Sequence, residues 1–86
     1  MASQLQRAIV SVVSNIAEGS GKMSYREKIR FLEIAFGSLL ESYCQLEVAQ
    51  SLNYIDEDTL KSIKPQFFSV SRLINALKLS FERRIQ

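Results

Sequence analysis

The thirty residues from Ser24 to Asn53 constrain the fold of this 86-residue chain more than any other segment. Their apolar side chains recur in steps of three or four, which places them on one side of an α-helix. The positions are Tyr25, Ile29, Leu32, Phe36, Leu39, Tyr43 and Leu46. A second apolar row beside the first makes the stripe wider than a contact with one helix requires. A helix of this length spans about 45 Å and therefore needs partners on more than one side.

Local signals mark both ends of this central helix. Ser24, with Glu27 three residues later, has the spacing of a capping box at a helix start. Asn53 suits the left-handed conformation that ends many helices. We expect Tyr54 and Ile55, which follow it, to fold back onto the apolar core.

A shorter helix is predicted before the central one. Residues 3–18 keep the apolar spacing of a helix without a gap. Gly19 and Gly21 follow, and a glycine just past the last periodic residue is a usual helix stop. Only a few residues separate the first two helices, and so short a connection predicts that they lie antiparallel.

A third helix is predicted for residues 57–84, with Asp56 as its N-terminal cap. Pro65 lies inside it, and a proline in a helix interior removes one backbone hydrogen bond, so we expect a kink near Pro65. The apolar spacing continues across the proline, which favours one bent helix over two separate ones. Residues 1–86 are therefore expected to form a single all-α domain, an up-down antiparallel helical bundle.

Composition excludes several kinds of site. The chain has no histidine and one cysteine, which removes the usual zinc and transition-metal sites and the histidine-dependent nucleophilic triads. We therefore predict no cofactor, no metal, no catalytic residue and no enzymatic activity. One cysteine permits no internal disulfide, and no apolar run is long enough for a membrane span. We expect a cytoplasmic protein without a membrane partner.

The predicted helices have unequal lengths. The second and third would extend about 45 and 42 Å, whereas the first would extend about 24 Å. The second and third helices form a long hairpin, and the short first helix would cover only half of the groove along it. The rest of the apolar surface would be exposed, and such surface usually binds a partner. We therefore predict self-association into a homo-oligomer.

Five polar residues lie in or beside the apolar stripes and are candidates for a hydrogen-bonded network between the first two helices: Asn15, Glu18, Ser38, Glu41 and Gln45. Buried polar groups must be satisfied, so such a network fixes the register and assembly of helices. The alternative is a paired-carboxylate site for acid–base chemistry or a metal. We favour the structural network, because di-metal bundles use Glu-x-x-His motifs and this chain has no histidine.

Gly37 lies inside the central helix, where glycine costs about 1 kcal/mol relative to alanine. The compensating benefit that we predict is close packing of a neighbouring helix, with Ser38 beside it, because small residues let two backbones approach. A ligand contact at this position is the alternative.

Four basic residues gather at the start of the central helix: Lys22, Arg26, Lys28 and Arg30. The net charge of the chain is only +2, which is low for a nucleic-acid-binding protein. The exposed backbone N–H groups of a helix N-terminus nevertheless add positive potential, and the four cations would suit a phosphate backbone. The alternative is a solvated rim in which Arg30 pairs with Glu33.

Two further features belong to the hypothesis that the chain binds a phosphate backbone. Lys78, Arg83 and Arg84 form a second basic candidate, although their position favours a role at the end of the third helix. Tyr25, next to Arg26, is the one aromatic residue that we keep as a candidate base-stacking platform.

Three stretches follow one another in a recognisable order: Ser14 to Gly21 (SNIAEGSG), the pair Phe31-Leu32, and Ala35 to Glu41 (AFGSLLE). In order and spacing they resemble the bacterial family of four-helix-bundle or rRNA intervening-sequence proteins, and the resemblance covers about Gln4 to Ile55. It implies an up-down helical bundle that assembles into a ring-like homopentamer.

The resemblance also carries expectations about function and chain length. Genes of this family lie within inserts of ribosomal RNA genes. The family is similar to the basic accessory subunits of diversity-generating retroelements, which associate with a reverse transcriptase and nucleic acid. Both links point to RNA by analogy. Family members normally carry another helix before the segment that opens this chain, so we expect either a short member or a truncated start.

These arguments predict a non-enzymatic, oligomeric helical module that docks RNA or an RNA-handling protein through a repeated basic surface. The alternative is a structural assembly module that binds a partner helix in its apolar groove, without nucleic acid.

Overall fold

Three helices make up the computed structural model, which describes residues 2–22 and 24–85 and, of the side chains, those from residue 6 onwards. They are α1 (Ala2–Ser20), α2 (Tyr25–Ser51) and α3 (Glu57–Arg84). No strand occurs in the described part of the chain, so the all-α fold class is confirmed. No described helix combines the length and the apolar character that a membrane span needs.

The helix bounds differ from the sequence-based ones mainly at α1. This helix continues to Ser20, so Gly19 lies inside it and Gly21 forms the turn. Two short-range bonds close the helix, from the Gly21 N–H to the Glu18 carbonyl at 3.2 Å and from the Lys22 N–H to the Gly19 carbonyl at 3.1 Å. The helix stop therefore comes later than the last apolar residue, because these bonds satisfy the terminal carbonyl groups.

A complete C-terminal cap ends α2. Asn53 has a φ of 65°, its N–H donates to the Gln50 carbonyl, and the Tyr54 N–H donates to the Ala49 carbonyl at 2.8 Å. This is the Schellman pattern, and it places Asn53 where the sequence predicted a left-handed residue. The expectation that Tyr54 folds back onto the core is wrong, since its side chain is 72% exposed. The left-handed residue turns the chain outwards at this point, and only Ile55 is partly covered.

The N-terminal caps of α2 and α3 have the geometry that their sequences predict. The Ser24 hydroxyl accepts a hydrogen bond from the Glu27 N–H at 3.4 Å, and the Asp56 carboxylate accepts one from the Thr59 N–H at 2.7 Å. Hydrogen bonds from Thr59, its side chain first and its backbone N–H second, hold the pKa of the Asp56 carboxyl below its ordinary value. The ionised form of Asp56 is therefore the form that stabilises the folded chain.

Replacing Asp56 by alanine should lower the free energy of unfolding at neutral pH and remove part of its pH dependence. The folded-state pKa lies below the unfolded one, so the stabilisation is present above the ordinary value of 3.8 and is lost as the pH falls through the folded-state pKa. Denaturant unfolding at neutral and strongly acidic pH measures the difference between wild type and Asp56→Ala, which should narrow in acid. Asp56→Asn is the control, because it keeps a capping oxygen but cannot titrate. A deficit in Asp56→Ala that is unchanged in acid would contradict the argument.

Pro65 does not divide α3. The helix continues from Glu57 to Arg84 with the proline inside it, and the Ser69 hydroxyl donates to the Pro65 carbonyl at 3.0 Å. One helix rather than two is therefore present here, and the kink near Pro65 stays a prediction.

The helices run up and down, as contacts between α2 and α3 show. Tyr25 meets Phe81, and farther along α2 the ring of Tyr43 packs edge-on against Phe67 with centroids 5.4 Å apart. Residue numbers rise along α2 while those of their partners fall along α3, so the two helices are antiparallel. Five buried side chains among the described residues pack into one core cluster: Val12, Leu32, Ala35, Leu39 and Ile74. Ala8, Leu46 and Ala49 are buried outside this cluster.

α2 holds the molecule together. It packs against both α1 and α3, whereas α1 and α3 make no close backbone contact with each other in the described residues. The two outer helices therefore lie on different sides of α2 and leave an open apolar groove between them, with Leu39 and Ser42 of α2 at its floor. The chain thus supplies three of the four helices of a four-helix bundle, and the groove lies where the fourth helix would pack.

Candidate nucleic-acid interface

The end of α1, the start of α2 and the end of α3 meet at one end of the molecule. We call this the basic end and define it as residues 18–33 and 78–85. It holds seven basic and four acidic residues, whereas the rest of the sequence holds four basic and five acidic ones. The small net charge of the chain therefore hides a concentration of positive charge at this end.

Two of the four predicted cations already have partners within the chain. The Lys22 Nζ lies 3.2 Å from a carboxylate oxygen of Glu18 and 5.2 Å from the centroid of the Phe31 ring. The Lys28 Nζ donates to the Ser20 carbonyl at 3.1 Å, at the end of α1. Both ammonium groups thus help to hold α1 against α2, and a phosphate would have to compete with these contacts.

The other two, Arg26 and Arg30, are exposed and have no ion-pair partner among the described residues. They lie one turn apart on α2, about 6 Å along its axis. Arg26 borders a surface hollow that Glu82 and Ile85, at the end of α3, also line. Arg30 does not form the pair with Glu33 that the solvated-rim alternative included, whereas a solvated rim without that pair stays the alternative. The Glu33 carboxylate lies 3.7 Å from the Lys78 Nζ on α3, so it is directed away from Arg30.

Tyr25 is less accessible than a base-stacking platform should be. Its ring is half-buried against Phe81, with ring centroids 5.7 Å apart, and the Arg84 guanidinium lies 5.7 Å above it. The Arg84 Nη1 also donates to the Tyr25 hydroxyl at 3.1 Å. A nucleic-acid base could stack on Tyr25 only after Arg84 moved aside, while Arg83 and Arg84 themselves remain exposed at the end of α3.

The five residues that were predicted to form one network instead take part in three separate contacts. The Ser11 and Ser38 hydroxyls are hydrogen-bonded at 2.8 Å between α1 and α2, and the Asn15 Nδ2 donates to the Ser11 carbonyl at 2.7 Å and to its hydroxyl at 3.1 Å. Gln45 donates to Glu41 at 3.3 Å within α2. Glu18 belongs to neither group, since its ion pair is with Lys22.

Sequence reasoning missed Ser11, which joins Asn15 to Ser38. The signal was present, because Ser11 and Asn15 are one turn apart on the same face of α1. Ser42 was missed as well: it is fully buried, and its hydroxyl donates to the Ser38 carbonyl at 2.9 Å. The role of this group in fixing helix register stays a prediction.

Close helix packing occurs at a different glycine from the predicted one. A Cβ placed at Gly37 would meet no atom of α1 or α3 within 4 Å, so neither helix of the chain uses the space that Gly37 leaves. A Cβ at Gly19 would lie 2.9 Å from the Cβ of Phe31 and 3.5 Å from the Lys28 carbonyl. Gly19 is therefore the residue that lets α1 approach the first turns of α2.

Other site chemistry is sparse in the described residues. No three His, Cys, Asp or Glu side chains come together there in an arrangement that could hold a metal ion. Cys44 is a free, exposed thiol on the outer side of α2. The features that stand out are thus the basic end and the apolar groove.

The chain matches the model of a known protein family. The family model of the 23S rRNA-intervening sequence protein matches residues 1–76 of this chain. Neither the curated proteins nor the solved structures contain a significant match.

Proposed function

The chain belongs to the 23S rRNA-intervening sequence protein family, and on that premise we propose that it is a non-enzymatic, self-associating module in the cytoplasm that docks RNA through the basic end of each copy. One observation supports this proposal most. Arg26 and Arg30 lie one turn apart on an exposed helix face, near a helix N-terminus, and have no ion-pair partner in the described residues.

Arg26 and Arg30 are placed to bind phosphate groups of a nucleic-acid backbone. Guanidinium groups bind phosphate oxygens bidentately, and the positive end of the α2 dipole adds to their potential. Neither arginine has a carboxylate oxygen within 4 Å among the described residues, so the two need to break no ion pair there before they bind an anion. Lys22 and Lys28 strengthen the field around the arginines while they stay bound to Glu18 and Ser20.

Self-association would strengthen RNA binding even if each single basic end bound RNA weakly. Each copy carries the same basic end, so an oligomer presents several of them, and binding one makes binding the next intramolecular. The homopentamer that the resemblance implies stays a prediction, and so does the reading in which the basic end docks a protein that handles RNA.

Removing Arg26 and Arg30 together should weaken RNA binding and flatten its dependence on salt. If each contacts one phosphate, the slope of log K against log salt concentration should become shallower by about 1.4 for single-stranded RNA and about 1.8 for a duplex, per protomer. Binding of a fluorescent RNA in a salt series measures both affinity and slope for wild type and Arg26→Ala/Arg30→Ala.

The matched control for this experiment removes two cations elsewhere. Lys64→Ala/Arg72→Ala changes the net charge by the same amount on α3, away from the basic end. If both double variants weaken binding equally, binding follows net charge alone and the basic end is not the site. If wild type binds no RNA even at low salt, the proposal is wrong.

The groove between α1 and α3 supports a second candidate function. It is lined by apolar side chains of both helices, and α2 closes it on one side only. A structural assembly module that receives a partner helix in this groove needs no nucleic acid. Such a module would keep its mass in solution in the Arg26→Ala/Arg30→Ala variant and bind RNA in neither form.

A further inference from the structure

An open hollow of about 500 Å³ lies on the outer side of α3, in the part of the helix around Pro65. We call it the α3 hollow and define it by its lining residues: Lys61, Lys64, Pro65, Phe68, Ser71 and Arg72. Phe68 comes two positions before Val70, which lines the apolar groove, and two residues turn a helix by about 200°. The α3 hollow therefore faces away from the apolar groove and is a separate surface.

Apolar surface continues from the α3 hollow towards α2. Phe68 is 55% exposed and Leu40 of α2 is 52% exposed. A smaller hollow of about 210 Å³ shares Lys64, Phe68 and Ser71 with the α3 hollow and is also lined by Leu40. Phe68 and Leu40 thus form one apolar contact surface between the two helices, and more than half of each side chain is open to solvent.

The charged side chains that line this surface are all basic, and no acidic side chain lines either hollow. Lys64 and Arg72 have no ion-pair partner among the described residues, whereas Lys61 is paired with Glu57 at 3.3 Å. The Lys64 Nζ lies 6.0 Å from the centroid of the Phe68 ring. Charge complementarity therefore favours a ligand that presents an apolar group together with negative charge.

Lys64 and Arg72 lie on either side of Phe68 in one row along α3. Each is four positions from Phe68, which corresponds to about 6 Å along the helix axis. In an extended peptide, alternate side chains point to the same face and are about 6.6 Å apart. A peptide with an acidic residue two positions before and two positions after an apolar one therefore presents carboxylate, apolar group and carboxylate at a matching spacing.

We propose that the α3 hollow binds an acidic, extended segment of a partner protein. An apolar side chain of the segment packs against Phe68 and Leu40, and the carboxylates on either side of it bind Lys64 and Arg72. RNA is the less suitable ligand here, because the Lys64 ammonium lies over the ring on which a base would stack. An aliphatic side chain can pack beside the ring instead, against Leu40.

Titration with a synthetic peptide tests the proposal. The peptide consists of glycine and serine, with a central leucine and a glutamate two positions to each side of it. NMR chemical shifts of the isotope-labelled protein measure the affinity and locate the site. Phe68→Ala should weaken binding at least about tenfold, as the loss of a central anchor does. Lys64→Ala/Arg72→Ala should weaken it similarly and flatten its salt dependence, because salt screens the attraction between the charges. All three side chains are exposed, so both variants should fold.

Two controls match this experiment. Arg26→Ala/Arg30→Ala removes the same charge at the basic end and should leave peptide binding nearly unchanged. Tyr43 packs against Phe67 beside the hollow, and Arg30 lies about 20 Å from Tyr43 along α2, which is more than a Debye length at physiological salt. A peptide with serine in place of leucine keeps the charge and should bind at least about tenfold more weakly.

Each outcome decides the proposal. Shifts centred on Leu40 and Phe68, with weaker binding in both variants of the α3 hollow and unchanged binding in Arg26→Ala/Arg30→Ala, support it. Equal weakening by the two double variants shows that binding follows net charge alone and overturns it. Unchanged binding in Phe68→Ala, equal binding of the serine peptide, or no binding to wild type at about 1 mM peptide and low salt also overturns it.

RNA binding in the same preparations separates this proposal from RNA docking at the basic end. If wild type binds the peptide and no RNA, only the docking of RNA is removed. If it binds RNA and no peptide, only the ligand of the α3 hollow is removed. If Lys64→Ala/Arg72→Ala weakens RNA binding more than Arg26→Ala/Arg30→Ala does, the α3 hollow is an RNA site and both proposals are wrong.

Discussion

Replacing Ile74 by alanine should lower the free energy of unfolding by about 2–5 kcal/mol, which is the effect of emptying a well-packed aliphatic site. Ile74 is 1% exposed and is the one residue of α3 that is buried among the described residues. α3 makes close backbone contact with α2 and with no other described helix, so its attachment depends strongly on the core contact of Ile74. A domain of this size has a total stability of about 4–13 kcal/mol, so the loss would be a large fraction of the whole.

Urea unfolding followed by circular dichroism measures this effect. Leu79→Ala is the control: it removes a similar aliphatic side chain from α3, but Leu79 is 49% exposed and should cost much less. If Ile74→Ala and Leu79→Ala lowered the free energy of unfolding equally, the burial of Ile74 in the core would not be what attaches α3 to the rest of the protein. Both variants should be compared at several protein concentrations, because self-association adds to the apparent stability of the folded form.

The two ends of α2 and the start of α3 could be predicted because their causes are local. The Ser24 and Asp56 caps and the left-handed Asn53 depend on residues within five positions along the chain. The buried face of α2 followed from the same reasoning, since helical periodicity alone places Leu32 and Leu39 together. These features need no knowledge of how the helices pack.

Sequence reasoning did not identify the partners of individual charged side chains, because these partners depend on how the helices pack against one another. Glu33 was weighed as a partner of Arg30 within α2, but it pairs with Lys78, which is 45 positions later in the sequence. The Lys28 ammonium is held by a backbone carbonyl at the end of α1, a group that no sequence motif identifies. Which cations remain available to a phosphate therefore became visible only once the helices were placed.

Alanine at Gly19 and at Gly37 should change stability in opposite directions. Neither glycine has a positive φ, so alanine is conformationally permitted at both positions. At Gly19 the new Cβ would lie 2.9 Å from the Phe31 Cβ, and α1 would have to move away from α2. Overpacking of this kind costs about 1–3 kcal/mol, which exceeds the gain of up to about 1 kcal/mol in helix propensity. Gly19→Ala should therefore destabilise the protein.

At Gly37 the new methyl group would meet nothing within 4 Å in the described residues, so Gly37→Ala should gain about 1 kcal/mol of helix propensity at no packing cost. Urea unfolding of the two variants, fitted with a common denaturant slope, measures the difference in sign. A loss of stability in Gly37→Ala that grows with protein concentration would contradict the open environment of Gly37. It would place a second copy against the outer side of α2, which is the one arrangement in which Gly37 could serve close helix packing.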